Sequence, residues 1–212
     1  MRVLVICAVS REARAVAGLS NASVVLSGVG RTNAAMATTR ALIEDGPFDA
    51  VLSLGIAGAL PCDDCSLKTG EIILGNESVY HEEGLLSPES FMDTSEMGFP
   101  LGQFKGNRIP ADPELLRRLK GLGRNGVIAT VATCSGTDAG ACEVTDRTGA
   151  LAEAMEGAAV LHVASAFSCP AIELRVISNT TGDRERQIWA LDEAFIILQD
   201  LVPELEKRLQ GR

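Results

Sequence analysis

The sequence predicts one α/β domain, and three features carry that reading. A chain of 212 residues is long enough for one substantial domain with an ample core, while two domains would be cramped. Residues 2–9 form a near-continuous apolar run, the mark of a central strand covered on both faces. Beyond that run, short strand-like segments alternate with helical ones, with no internal repeat, linker or low-complexity tract to divide them.

Charge and cysteine usage narrow the partners. A net charge of −9 argues against nucleic acid or an anionic membrane surface, so a small molecule is the expected ligand. No apolar run approaches the ~20 residues of a membrane span. Arg11, Glu12 and Arg14 follow the first apolar run too closely for a signal peptide, so that run reads as the first strand of a cytoplasmic protein. The six cysteines are scattered, and Cys7 and Cys134 read as free thiols of a reducing compartment. Cys62 and Cys65 are the one tight pair. With two histidines and no second pair beside them they read as thiols of a surface loop rather than zinc ligands, and no metal is expected.

In chain order, Ser10 is placed to cap a helix running to Leu19, with Glu12 in its first turn. That carboxylate suits the helix dipole, yet it also lies just past the end of a central strand. Residues 23–26 are a second strand, and the turn Ser27-Gly28-Val29-Gly30-Arg31-Thr32-Asn33 leads into a helix over 34–44. Asn33 stands where a dinucleotide fingerprint needs its third glycine, and the Walker lysine is absent, so neither NAD nor ATP is expected. Residues 49–54 are a strand ending in a glycine-bearing loop, Gly55-Ile56-Ala57-Gly58-Ala59, and residues 71–74 are a fourth strand. His81 reads as structural, and Glu82 and Glu83 as solvated. Residues 84–110, with Phe91, Phe99 and Phe104, show no clear period and suit a lid over the substrate.

Pro113 to Leu122 reads as an exposed helix, and residues 127–132 as a strand leading into the hydroxyl-rich loop Thr133-Cys134-Ser135-Gly136-Thr137. Residues 150–167 carry no proline and one glycine and predict a single helix, apolar all round from Gly157 to Phe167 and hence buried. Glu156 in such surroundings must face a cleft or lie at the rim, because a dry unpaired carboxylate costs on the order of several kcal/mol. After the break at Ser168-Cys169-Pro170, residues 171–177 form a strand with Ile172, Leu174 and Val176 on one face and Glu173, Arg175 and Ile177 on the other. An arginine in a short core strand pairs with a carboxylate. Ser178 and Asn179 close the strand, where open α/β sheets present polar groups to ligands. A helix from Gln187 to Leu209, kinked or restarted at Pro203, ends the chain.

The polar residues at these strand ends are Glu12, the Gly55 loop, the Thr133 loop, Glu156 and the stretch from Arg175 to Asn179. Carboxylates, one arginine and a neutral amide, without a metal cluster, suit cleavage of a glycosidic bond through an oxocarbenium-like transition state, with no cofactor. The same residues carry a resemblance over nearly the whole chain. Ala8-Val9-Ser10-Arg11-Glu12, Ser27-Gly28-Val29-Gly30, Gly55-Ile56-Ala57-Gly58, Ala154-Met155-Glu156-Gly157-Ala158-Ala159 and Arg175-Val176-Ile177-Ser178-Asn179 resemble the purine nucleoside phosphorylase and nucleosidase superfamily, and within it the futalosine hydrolase branch.

The resemblance implies one domain over residues 1–212, a mixed twisted sheet flanked by helices, a purine nucleoside substrate and a homodimer or higher homo-oligomer. It implies hydrolysis of futalosine to hypoxanthine in menaquinone biosynthesis. Glu12 would deprotonate the attacking water, Arg175 position it, Glu156 grip the ribose hydroxyls and Met155 pack on the sugar. Asn179, with Ser178, would face the purine, and Thr133 to Thr137 line its pocket, as the Gly55, Ile56, Ala57 and Gly58 segment lines the sugar side. Adenine-releasing nucleosidases place an aspartic acid at Asn179; an amide suits a 6-oxopurine. Ser53 stands where hexameric phosphorylases place a phosphate-binding arginine, which leaves Arg31 as the cation for phosphorolysis. Ile56 replaces a serine and Ala154 a glutamate of the methylthioadenosine nucleosidases. A 5′ aromatic carboxylate would meet Arg184 and Arg186, or Lys105 and Arg108. The alternatives are a methylthioadenosine or S-adenosylhomocysteine nucleosidase, a phosphorylase, or a non-catalytic purine-nucleoside-binding protein.

Overall fold

A computed structural model describes residues 1–62 and 65–211. The elements run β1 Val3–Cys7, α1 Ser10–Ala15, β2 Ala22–Leu26, α2 Arg31–Glu44, β3 Ala50–Ala59 and β4 Ile72–Tyr80. The hairpin β5 Gly84–Leu86 and β6 Phe91–Asp93 follows, then β7 Arg108–Pro110, α3 Pro113–Leu119, β8 Arg124–Thr130 and α4 Asp138–Thr148. Strand β9 Ala152–Ala154, α5 Gly157–Ala166, β10 Ala171–Thr180, α6 Leu191–Asp200 and α7 Val202–Leu209 complete the chain.

The main sheet is mixed, in the order β10-β4-β8-β9-β3-β1-β2 with β7 on β4, and β10 also pairs with β3. That extra pairing closes β3, β10, β4, β8 and β9 into a ring, from which β1 and β2 extend. Strand β3 is the hinge of this arrangement. Ala50–Ser53 pair with β1, Gly58 and Ala59 pair with β9, and β10 runs parallel to β3 from Val51 to Ala59. Strand β1 alternates as a doubly covered strand must. Val3, Val5 and Cys7 pack with residues of α1, α3, α6 and α7, while Leu4 and Ile6 pack with α2 and α5. Alanines at 34 and 41 of α2 and at 158, 159 and 164 of α5 keep that second layer thin.

The mixed sheet flanked by helices stands as expected, but several elements differ. Residues 150–167 are not one helix. Ala152–Ala154 are a strand bonded to both β3 and β8, and the helix begins only at Gly157. Completing the ring satisfies backbone groups on both edges of this short segment, which outweighs the modest helix preference of alanine. The residues read as a glycine loop after Leu54 continue β3 to Ala59, because β10 pairs along the whole stretch and β9 takes up the other edge at Gly58 and Ala59. Helix α4 had no counterpart in the sequence reading. Its buried residues are Ala141, Val144 and Thr148, too few for a clear period, and its ends are set by the Thr137 hydroxyl, which accepts from Gly140 N at 3.1 Å, and by Gly149 in the left-handed region. Helix α1 stops at Ala15 and is preceded by Val9, not capped by Ser10. Pro203 restarts the C-terminal helix as expected.

Cys62 and Cys65 form a disulfide, so this pair is neither two free thiols nor a zinc site; Asp63 and Asp64 lie outside the described residues. Among the described residues no cluster of metal-binding side chains occurs, and no helix is long and apolar enough to cross a membrane. Glu82 and Glu83 are not simply solvated: both pair with Arg31, at 3.2 and 3.3 Å. Part of the proposed lid is the β5–β6 hairpin, and Phe104 packs edge-on against His162 of α5.

At the start of α5, a β-carbon on Gly157 would run into the Glu173 carboxylate on the neighbouring strand β10. Gly157→Ala is therefore expected to cost about 1–3 kcal/mol by overpacking, after a helix-propensity gain of at most about 1 kcal/mol. Thermal unfolding should show a midpoint lower by several degrees, at roughly 2–4 °C per kcal/mol for a chain of this size; an unchanged midpoint would mean that the carboxylate is not fixed against the helix.

Candidate active site

The site is built around Arg175, in the middle of β10 and 1% exposed. Its register partner on β3 is Gly55. A β-carbon at Gly55 would collide with both the Glu12 carboxylate and the Arg175 guanidinium, so this glycine is the opening through which the two side chains approach each other. Arg175 Nε donates to Glu173 Oε1 at 2.8 Å, and Nη2 donates to Ser53 Oγ at 2.9 Å. Glu156 Oε2 lies 3.5 Å from Nη2, and Glu12 Oε1 4.0 Å from Nη1. Burial works against the charge on Arg175, but Glu173, Glu156 and Glu12 outweigh it and hold the guanidinium protonated. Glu173 is itself held by Ser78, whose hydroxyl donates to its Oε2 at 2.5 Å. The arginine thus has the expected carboxylate partner, and also two more.

Glu12 serves two ends at once. Its Oε2 accepts from Ala8 N at 2.9 Å and Val9 N at 3.0 Å, reaching back over the start of α1 as a helix-capping glutamate does. Its Oε1 accepts from Ile56 N at 3.0 Å across the sheet. The side chain is buried, and burial pushes its pKa above the usual carboxylate range, with Arg175 and the backbone N–H groups pulling the other way. Such a group is a stronger base than a solvated glutamate and is more readily protonated.

Glu156 sits at the junction of β9 and α5, where a carboxylate is favoured by the helix N-terminus. Its Oε1 accepts from Gly30 N at 2.9 Å. Gly30 has φ +96°, a conformation that side-chain-bearing residues rarely adopt, and it turns its N–H toward Glu156 while opening α2. Met155 beside it is half-buried against the α4 layer.

A bulge re-aims the end of β10. Ile177 pairs with Ala57 but Asn179 pairs with Gly58, so Ser178 is the extra residue. The Ser178 hydroxyl lies 3.2 Å from Ala57 O and 2.9 Å from Asn179 Oδ1, and Asn179 Nδ2 donates to Thr180 O at 2.9 Å. Asn179 lines a cavity of about 260 Å³ with Gly58, Cys134, Ser135, Gly136, Glu153, Arg184, Gln187 and Trp189. The Thr133 loop therefore reaches this cavity through residues 134–136; Thr133 is exposed, and the Thr137 hydroxyl is engaged at the cap of α4. Trp189 pairs by backbone with Asn179 and stays 45% exposed, with the Arg184 guanidinium 4.8 Å from its ring.

Ser135 of the Thr133 loop lines the cavity, whereas Glu173, Glu153, Gln187 and Trp189 are site residues that the sequence alone does not single out. Glu153 was hidden by the helix assigned to its segment, and Trp189 by the polar loop around it; that it is the chain's one tryptophan was the available signal. The charged residues considered for a 5′ carboxylate separate clearly. Arg186 pairs with Asp138 and Asp183, and Arg108 with Glu77, whereas Arg184 lines the cavity.

Residues 3–204 match the family model described as the phosphorylase superfamily. The chain is 31% identical over 191 residues to futalosine hydrolase of Streptomyces coelicolor, spanning 87% of this chain and 78% of that one. It is 35% identical over 185 residues to futalosine hydrolase of Thermus thermophilus, spanning 84% and 78%. Among solved structures, a 5′-methylthioadenosine/S-adenosylhomocysteine nucleosidase from Colwellia psychrerythraea in complex with adenine shares the fold at a TM-score of 0.79 and 22% identity, over 99% of this chain and 96% of that one.

Arg175→Met tests the cluster. Removing the cation leaves three buried carboxylates facing one another, which should cost about 3–5 kcal/mol near neutral pH. Without Arg175 the folded pKa values of Glu12 and Glu173, which burial already raises, rise further above their unfolded values, so stability is retained at low pH and lost as pH rises through the folded values. The melting deficit against wild type should thus shrink as pH falls from 8 toward 5; a deficit independent of pH would contradict this electrostatic account.

Proposed function

The chain belongs to the phosphorylase superfamily, and on that premise we propose that it hydrolyses the N-glycosidic bond of futalosine, releasing hypoxanthine and dehypoxanthine futalosine in menaquinone biosynthesis. The observation that carries the reading is Glu12: a buried carboxylate of raised basicity, held by three backbone N–H groups beside a fixed guanidinium at the strand ends. In this reading Glu12 takes a proton from water as that water attacks the anomeric carbon, and Arg175 keeps the water and carboxylate in line. Glu156, released from Gly30 or shared with it, accepts from the ribose hydroxyls, and Met155 packs on the sugar. Gly55, Ile56 and Ala57 border the reacting carbon, and Ile56 contributes its N–H to the base. Asn179 donates to N7 or the 6-oxo group as negative charge develops on the departing base, with Ser178 fixing its amide and the loop from Thr133 to Thr137 walling the pocket.

Water rather than phosphate is the nucleophile in this proposal. The Ser53 hydroxyl, where a phosphorylase would carry an arginine, is bonded to Arg175, and Arg31 is engaged with Glu82 and Glu83. Futalosine rather than a methylthio nucleoside is supported by the two futalosine hydrolases above and by Asn179 in place of an acid. Arg184 stays in this reading as a partner for the 5′ carboxylate because Arg186 and Arg108 are engaged with acidic side chains. A homodimer in the cytoplasm belongs to the same proposal; exposed Val29, Met36 and Ile43, seven residues apart along α2 and its lead-in, support a face between subunits.

Incubation with futalosine, aminodeoxyfutalosine, inosine and methylthioadenosine, with and without phosphate, is expected to yield hypoxanthine from futalosine independently of phosphate. Adenine as the sole product, or a requirement for phosphate, would move the chain to another branch of the superfamily. The pH profile of kcat/KM gives a second check. Activity needs ionised Glu12, so it should fall as pH drops through a value above the usual carboxylate range, and Glu12→Gln should lose roughly 10²–10⁴-fold in kcat and flatten that limb. Undiminished turnover in Glu12→Gln would remove Glu12 from the role of base.

A further inference from the structure

Three residues lie in one row across three neighbouring strands. Gly58 of β3 is in register with Asn179 of β10 on one side and with Glu153 of β9 on the other. Residues directly opposite in register share a face, and two strand spacings put the amide-bearing and carboxylate-bearing positions about 10 Å apart; Gly58 adds no side chain of its own between them, and the Asn179 amide nitrogen and the Thr181 methyl lie against it. All three line the same cavity, under Trp189.

Glu153 is 5% exposed, and nothing in the mechanism above uses it. Ser135 holds it, donating from its backbone N to Oε1 at 2.8 Å and from its hydroxyl to Oε2 at 2.6 Å. Each carboxylate oxygen keeps a further acceptor position. Burial raises the pKa of this carboxyl and the two bonds from Ser135 oppose the rise, so an additional donor would settle it as the anion. Asn179, opposite, is a donor toward the cavity: Ser178 holds its Oδ1 and Thr180 O takes one N–H of Nδ2, leaving the other. The row therefore presents one N–H on one side and one anionic acceptor on the other.

We propose that Glu153 determines the base specificity of this site by accepting the N1–H of a 6-oxopurine whose N7 or O6 is held by Asn179. The inference rests on the purine nucleosidase reading and names a residue that this reading did not contain. Hypoxanthine offers a donor at N1 and acceptors at O6 and N7, matching the row. Adenine offers an acceptor at N1, which would face the carboxylate lone pairs. Discrimination of this kind is strong because the wrong base leaves buried polar groups opposed.

The test is calorimetric binding of hypoxanthine, 1-methylhypoxanthine and adenine to the wild-type protein and to Glu153→Gln, alongside wild-type product analysis with futalosine. In the Gln variant the fixed Ser135 N–H holds the amide oxygen on its side, so the amide nitrogen takes the other position and offers a donor. Wild type should bind hypoxanthine at least ~10-fold more tightly than 1-methylhypoxanthine or adenine, and Glu153→Gln should reduce the hypoxanthine-to-adenine preference by ~10-fold or more. Equal wild-type binding of hypoxanthine and 1-methylhypoxanthine overturns the inference without reliance on any variant. So does an unchanged preference in a Glu153→Gln protein that melts like wild type. If wild type releases hypoxanthine from futalosine while either of those results holds, only the role of Glu153 is lost; if it releases adenine from its substrates instead, the functional reading fails and the inference with it.

Discussion

A fully buried guanidinium is the constraint on which this structure depends. Arg175 cannot be dehydrated alone, since an unpaired buried charge costs at least several kcal/mol, so the fold must bring anions and acceptors to it from several elements. Glu173 comes from the same strand, Ser53 from β3, Glu156 from the β9–α5 junction and Glu12 from the first turn of α1. Space must also be provided. Gly55 and Gly157 sit where any side chain would strike one of these charges. The glycines of the site thus act through what they leave out.

The same cluster shows why stability and function pull apart here. Three carboxylates share one arginine, so the group as a whole carries more negative charge than its cation balances, and burial adds to the pressure on Glu12 and Glu173 to take up a proton. Replacing such a cluster with packed apolar residues is often neutral or stabilising. Keeping it makes sense if one member is to be a base. Glu12 is the member best suited, because three backbone N–H groups fix its geometry without neutralising it, as a second arginine would.

Much of this was legible in the sequence, and the parts that were not share a cause. The doubly covered β1, the strand carrying Arg175, the buried helix after Gly157 and the restart at Pro203 each leave a local periodic signature or a proline. Glu12, Glu156, Arg175 and Asn179 stood out because polar residues interrupt apolar runs at strand ends. By contrast, β9 is three residues long and rich in alanine, and its identity comes from pairing with β3 and β8, which are distant in sequence. Helix α4 buries too few side chains to declare a period. The extension of β3 through its glycines depends on β10 and β9 being there to pair with it. Local propensity is a weak prior wherever long-range hydrogen bonding decides the conformation.

Strand β9 matters for chemistry as well as for topology. On a helix, residues 153 and 156 are three apart and lie on one face, so both glutamates would point into the same surroundings. In the folded chain a strand ends between them. Glu153 joins the Gly58 row beside the cavity that Asn179 lines, and Glu156 turns at the head of α5 toward Gly30 and Arg175. Two carboxylates separated by two residues are thereby divided between the Asn179 cavity and the Arg175 cluster. The division requires both the closure of the sheet through β9 and the bulge at Ser178 that brings Asn179 into the same row, so ring closure and the placing of Glu153 opposite Asn179 stand on one set of backbone hydrogen bonds.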